Sequence, residues 1–107
     1  MTDVYGFKSQ NIKKISRKLE KILGISFVLH DSLFHGGDYY LYRSGDFEEV
    51  ELILQDNREL EDDLAEPDFP EYKVIFYVHF RDTTRLLDTR NQILKAMKRN
   101  ISLLRSG

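Results

Sequence analysis

Tyr72-Lys-Val-Ile-Phe-Tyr-Val-His-Phe80 is an almost unbroken run of β-branched and aromatic residues. It is too short for a buried helix and has no polar alternation, so it reads as a strand covered on both faces, hence central in its sheet. Immediately before it, residues 56–71 hold both prolines, Pro67 and Pro70, and eight acids, which marks a loop. Before the loop, Phe47 to Gln55 alternates: Val50, Leu52 and Leu54 fall on one face, Glu49, Glu51 and Ile53 on the other. Ser44-Gly-Asp46 is a tight turn, Asp38-Tyr-Tyr-Leu-Tyr-Arg43 a second strand, Asp31 to Gly37 a turn with paired glycines, and Ile25-Ser-Phe-Val-Leu-His30 a first strand. These connections are too short for a crossover, so the strands are antiparallel.

Helical spacing governs both flanks. Ile12, Ile15, Leu19, Ile22 and Leu23 share one face of a helix from Ser9 to Leu23, with Ser9 as N-cap and Gly24 as its stop. From Thr83 onward Leu86, Leu87, Ile93, Leu94, Met97, Ile101 and Leu104 return at helical spacing, Asp82 caps the start, and Arg99 and Arg105 sit near the end where they suit the helix dipole. The expected fold is α+β: an antiparallel sheet of about four strands with N-terminal and C-terminal helices packed on it, in the order α-β-β-β-loop-β-α, as a single domain over residues 1–107.

With 41% apolar and 32% charged residues the composition is that of an ordinary globular domain. The absence of cysteine excludes disulfides, thiolate metal sites and a cysteine nucleophile, and fits a reducing compartment. The opening Met1-Thr-Asp-Val-Tyr-Gly-Phe-Lys8 is unlike a signal peptide, and no segment has the roughly 18 apolar residues of a membrane span, so a cytoplasmic, non-membrane protein is expected. The net charge of −2 conceals segregation: residues 8–21 carry six bases against Glu20, residues 46–71 twelve acids against Arg58, and residues 81–105 seven bases against Asp82 and Asp88. Such asymmetry speaks of partners more than of fold.

Catalytic and cofactor signals are missing. The three histidines, His30, His35 and His79, form no HxH or HExxH pattern. Gly36-Gly37 belongs to no phosphate-cradling frame, and the acids lack the spacing of a calcium loop. No catalytic residue, metal or cofactor is therefore assigned, and the chain is expected not to be an enzyme. The basic helices could contact phosphates, yet there is no helix-turn-helix, no RNP-type aromatic pattern and no glycine-rich clamp, and the acidic segment would repel a duplex.

What stands out is acid beside aromatic. Asp56, Glu59, Glu61, Asp62, Asp63, Glu66, Asp68 and Glu71 crowd around Phe69 and Tyr72, with Tyr40 and Tyr42 on a neighbouring strand. Carboxylates surrounding aromatic anchors make a surface able to pair with arginines and lysines of a basic protein. The expected partner-binding set is Tyr40, Tyr42, Asp56, Glu59, Glu61, Asp62, Asp63, Glu66, Asp68, Phe69 and Tyr72. Reversal of Asp62, Asp63 and Glu66 to lysine is expected to spare the fold and abolish partner binding.

Three stretches carry a resemblance: His35-Gly-Gly-Asp-Tyr-Tyr40, Val50-Glu-Leu-Ile-Leu-Gln-Asp-Asn57, and Leu64-Ala-Glu-Pro-Asp-Phe-Pro-Glu-Tyr72 running into Val74-Ile-Phe-Tyr-Val78. In kind and order, over about residues 10–80, they resemble small immunity proteins encoded beside bacterial polymorphic toxins, including those of contact-dependent growth inhibition. The resemblance implies an antitoxin that binds and neutralises a cognate toxin domain; a nuclease target is inferred from charge alone, since an acidic loop can occupy a basic phosphate cleft. Three alternatives stay open: a non-catalytic adaptor using the same surface, a nucleic-acid-binding domain using the basic helices, and an enzyme whose catalytic site is assembled from residues distant in sequence.

Overall fold

A computed structural model of the chain describes residues 1–32, 37–45, 49–58 and 63–107. Six strands and two α-helices are found among them: β1 (Thr2–Phe7), α1 (Ile12–Leu23), β2 (Val28–Ser32), β3 (Gly37–Ser44), β4 (Val50–Asp56), β5 (Val74–Phe80), α2 (Thr83–Met97) and β6 (Ser102–Ser106), with a 3-10 turn at Lys98–Asn100. The strands form one antiparallel sheet in the order β2-β3-β4-β5-β1-β6. The α+β class holds, and β5 is interior to the sheet as its apolar run requires. The expected four strands and element order are corrected by the addition of β1 ahead of α1 and β6 after α2.

Both additions have a physical reason. β1 inserts between β5 and β6, where Val4, Tyr5 and Phe7 become buried. Six residues with a glycine inside make a weak strand alone; pairing on both edges is what fixes them. The helical spacing of Ile101 and Leu104 is a coincidence of period, because α2 ends at Met97 and Ile101 is already extended. The break falls on Lys98, the sole non-glycine residue at positive φ among the described residues, with φ 50° and ψ −117°. A lysine gives no stop signal, whereas a glycine there would have. Such a conformation costs roughly 1–3 kcal/mol in a side-chain-bearing residue. Lys98→Gly is therefore expected to raise the unfolding free energy by about 1 kcal/mol after glycine's own entropy cost. A lower denaturant midpoint in the variant would show that Lys98 is unstrained.

The helices form where their sequence says, with small differences at the ends. In α1 the N-cap is Asn11 and not Ser9: the Lys14 N–H donates to Asn11 Oδ1 at 3.1 Å, and Ser9 Oγ accepts from the Asn11 N–H at 3.2 Å. Gly24 ends the helix at φ 65°, its N–H donating to the Glu20 carbonyl at 2.9 Å. Asp82 caps α2 by accepting from the Thr84 N–H at 2.9 Å. β2 begins later than Ile25, because Glu20 Oε2 accepts the Phe27 N–H at 2.9 Å and holds the connection against α1.

Both helices lie on one face of the sheet. Ile15 and Leu19 of α1 and Leu86, Ile93 and Met97 of α2 cluster with Tyr5, Phe7, Leu52, Leu54, Val74, Phe76, Val78 and Phe80. Phe76 is the centre, with ring centroids 6.0 Å from Tyr5 and 6.2 Å from Phe27. The opposite face is also closed over its middle: Val4, Gln55 and Ile75 are buried there, and Ile75 has no exposure. At Gly6 a Cβ would come within 2.7 Å of the Tyr72 ring and 2.8 Å of the Leu104 side chain, so only glycine lets the segment before β5 lie this close. The described part of the segment before β5, residues 63–73, is thus a second layer over the back of the sheet.

Candidate functional site

Asn57 builds the acidic segment. Its amide nitrogen donates to the Phe69 and Tyr72 carbonyls at 3.0 and 2.9 Å, its amide oxygen accepts the Glu66 N–H at 2.8 Å, and its own N–H donates to the Lys73 carbonyl at 2.9 Å. One buried side chain therefore supplies partners for backbone that has no strand beside it. Phe69 and Tyr72 meet edge to face at 6.5 Å, and Lys8 Nζ sits 5.8 Å from the Tyr72 ring centroid. Both aromatics are half-buried, and Tyr72 lies against the sheet at Gly6 as cover for it.

The acids divide. Glu66 is buried and paired with Arg105, so the expectation that its reversal spares the fold is corrected: a lysine there would face Arg105 and lose a buried pair. Arg105 in turn lies on β6 and not at a helix end. Asp63, Asp68 and Glu71 are exposed and, among the described residues, have no ion pair or hydrogen bond from another side chain. Glu59, Glu61 and Asp62 lie outside the described residues.

Two further acids join from the β2–β3 hairpin. Asp31 and Asp38 face each other across it, both exposed, and Asp38 lies one residue past the Tyr39–Gln55 pair, beside Asp56 at the end of β4. Burial, with the Asp38 charge added, pushes the Asp56 carboxyl above its ordinary range, and Arg58 opposes this. Three carboxylates thus end three adjacent strands. The sequence held the signal, since facing positions follow from the hairpin register, but neither residue belongs to the acidic run.

Tyr40 and Tyr42 fall elsewhere. Alternation along β3 turns both to the helix-bearing face, where Tyr40 meets Phe27 edge to face at 6.2 Å and Tyr42 lines a groove of about 380 Å³ with Leu23, Phe80 and Arg85. They do not combine with the acids of 63–71 into one patch. On the opposite face Tyr39 stacks on His30 at 5.4 Å, and Thr2 Oγ1 lies 3.0 Å from His79 Nδ1. His35 lies outside the described residues.

Asp3 is the most buried carboxylate among the described residues. Arg90 grips it with two hydrogen bonds of 2.9 and 2.8 Å and also donates to Ser106, tying β1, α2 and β6 together. Burial, with the Asp3 charge next to it, holds the Tyr5 hydroxyl well above the phenol range, while Asp3 raises Arg90 further. Both Asp3 carboxylate oxygens and the Tyr5 hydroxyl are engaged within the fold, the work of a structural clasp. Among the described residues no group of three or more histidine, aspartate or glutamate side chains is placed to hold a metal, and no helix is long and apolar enough to cross a membrane. Compared with known proteins, the sequence matches no family model and no curated protein.

Proposed function

We propose that this chain is an immunity protein that neutralises a cognate toxin domain by presenting carboxylates to a basic surface, and that it acts in the cytoplasm of the cell it protects. The observation that supports this most directly is the set of exposed acids without side-chain partners among the described residues, Asp63, Asp68 and Glu71, on a segment fixed by Asn57. Asp31, Asp38 and Asp56 add a further row of carboxylates at the ends of three adjacent strands. Like charges kept together against their repulsion are relieved by a cationic partner, which also gains a fast, steered approach. The fixed backbone lowers the ordering cost of binding. A basic cleft of the kind a nuclease offers to phosphates is the matching surface.

The test is a triple reversal, Asp63→Lys, Asp68→Lys and Glu71→Lys, which avoids the buried Glu66. These exposed positions should leave stability within about 0.5 kcal/mol of the parent. Affinity for the toxin domain encoded beside the gene should fall by roughly a hundredfold or more, read by titration calorimetry, with loss of protection in cells. A reversed protein that still binds and protects would refute the acidic-surface mechanism.

A further inference from the structure

A pocket of about 360 Å³ opens between the end of β1, the first turns of α1 and the 3-10 turn after α2. Lys8, Lys14, Lys18 and Arg99 line it, and no carboxylate does. We propose that this pocket binds a small phosphate-bearing molecule of mononucleotide size, a role independent of the acidic surface.

The disposition of charge supports this. Arg43, Arg90 and Arg105 each have a carboxylate partner within the fold, whereas the four cations of the pocket have none among the described residues. Lys14 and Lys18 stand one helical turn apart, a like-charged spacing that weakens a helix. Bases brought from three separate elements into one concavity concentrate positive potential there, and low-dielectric walls focus it. The walls are suitable: Phe7, Ile15 and Met97 supply apolar surface, while Asn11 and Asn100 supply amides. The volume lies in the range of small-ligand sites, roughly 300–1,000 Å³, and exceeds what a bare phosphate fills. Tyr72, also in the wall, supplies an aromatic surface for a flat organic group, with Lys8 already beside it. Arg99 and Asn100 follow directly on Lys98 with its strained backbone, and strain of that kind gathers where a site needs it.

The probes are pyrophosphate, adenosine monophosphate and a short single-stranded RNA, titrated into the full chain and followed by amide NMR shifts and calorimetry. Adenosine monophosphate should give saturable shifts at residues 6–18 and 98–102, with pyrophosphate competing. Lys14→Gln and Arg99→Gln should each weaken binding roughly tenfold by removing a charge-assisted contact. Lys13→Gln, an exposed position of α1 outside the pocket, should change it less than about twofold, a control for net charge. No saturable shift at about 10 mM of either small probe, equal losses in all three variants, or tight binding of RNA that the mononucleotide does not displace would each overturn the proposal.

Discussion

Replacing Arg90 with alanine is expected to remove roughly 3–5 kcal/mol of folding free energy, the cost of leaving a buried carboxylate without its partner. Asp3 has no exposure, and Arg90 provides both of its close hydrogen bonds. The Tyr5 hydroxyl, at 3.4 Å, is a weak third contact and cannot take over. A domain of this size has only about 5–15 kcal/mol in total, so the variant should unfold at a much lower urea midpoint. Adding Asp3→Asn to Arg90→Ala should restore at least about 1 kcal/mol, because the expense lies in the stranded charge and not in lost packing. Arg90→Lys should remain clearly destabilised, since an ammonium cannot reproduce the two-pronged grip. A loss under about 1 kcal/mol in Arg90→Ala would show that water reaches Asp3 and that the clasp is superficial.

Asn57→Ala should release residues 63–73 from the back of the sheet. The change strands the buried Glu66 N–H and the Tyr72 carbonyl, each worth about 1–3 kcal/mol when left unpaired, while the Phe69 carbonyl keeps only the Tyr72 N–H at 3.2 Å. The chain has a cheaper escape than global unfolding, namely local opening of that segment. The expected result is amide exchange at Phe69 and Tyr72 faster by roughly a hundredfold, with a smaller change in the global midpoint. Asn57→Asp should be at least as damaging although its shape is nearly the same, because a carboxylate would point lone pairs at the Phe69 and Tyr72 carbonyls. Protection unchanged in both variants would mean that Pro67, Pro70 and the aromatic contacts hold the segment without Asn57. Under the proposed function, either variant should also weaken toxin binding, since its three unpaired acids would lose their fixed spacing.

Much of the scaffold was legible because its signals are local. The period of α1, the αL glycine that ends it, the Asp82 cap and the two-residue alternation of β4 each depend on a few neighbouring residues. Composition placed β5 inside the sheet, since only a strand covered on both sides can carry Val74 through Phe80 with so little polar content. β1 and β6 were not legible. A six-residue strand containing glycine is made stable by two partners, and Ile101 and Leu104 satisfy helical spacing whether or not the chain is still helical.

For the surface, the sequence by itself determined that acids and bases are segregated, because charge is a property of each residue. Which charges are free for a visitor is a property of pairs, and only the tertiary structure decided it. Arg105 consumes Glu66 across 39 residues, the pleat of β3 sends Tyr40 and Tyr42 toward the helices, and the hairpin register carries Asp31 and Asp38 to Asp56. The same closure gathers Lys8, Lys14, Lys18 and Arg99 around one pocket. Long-range pairing follows from how the sheet and helices meet, and no local pattern encodes it.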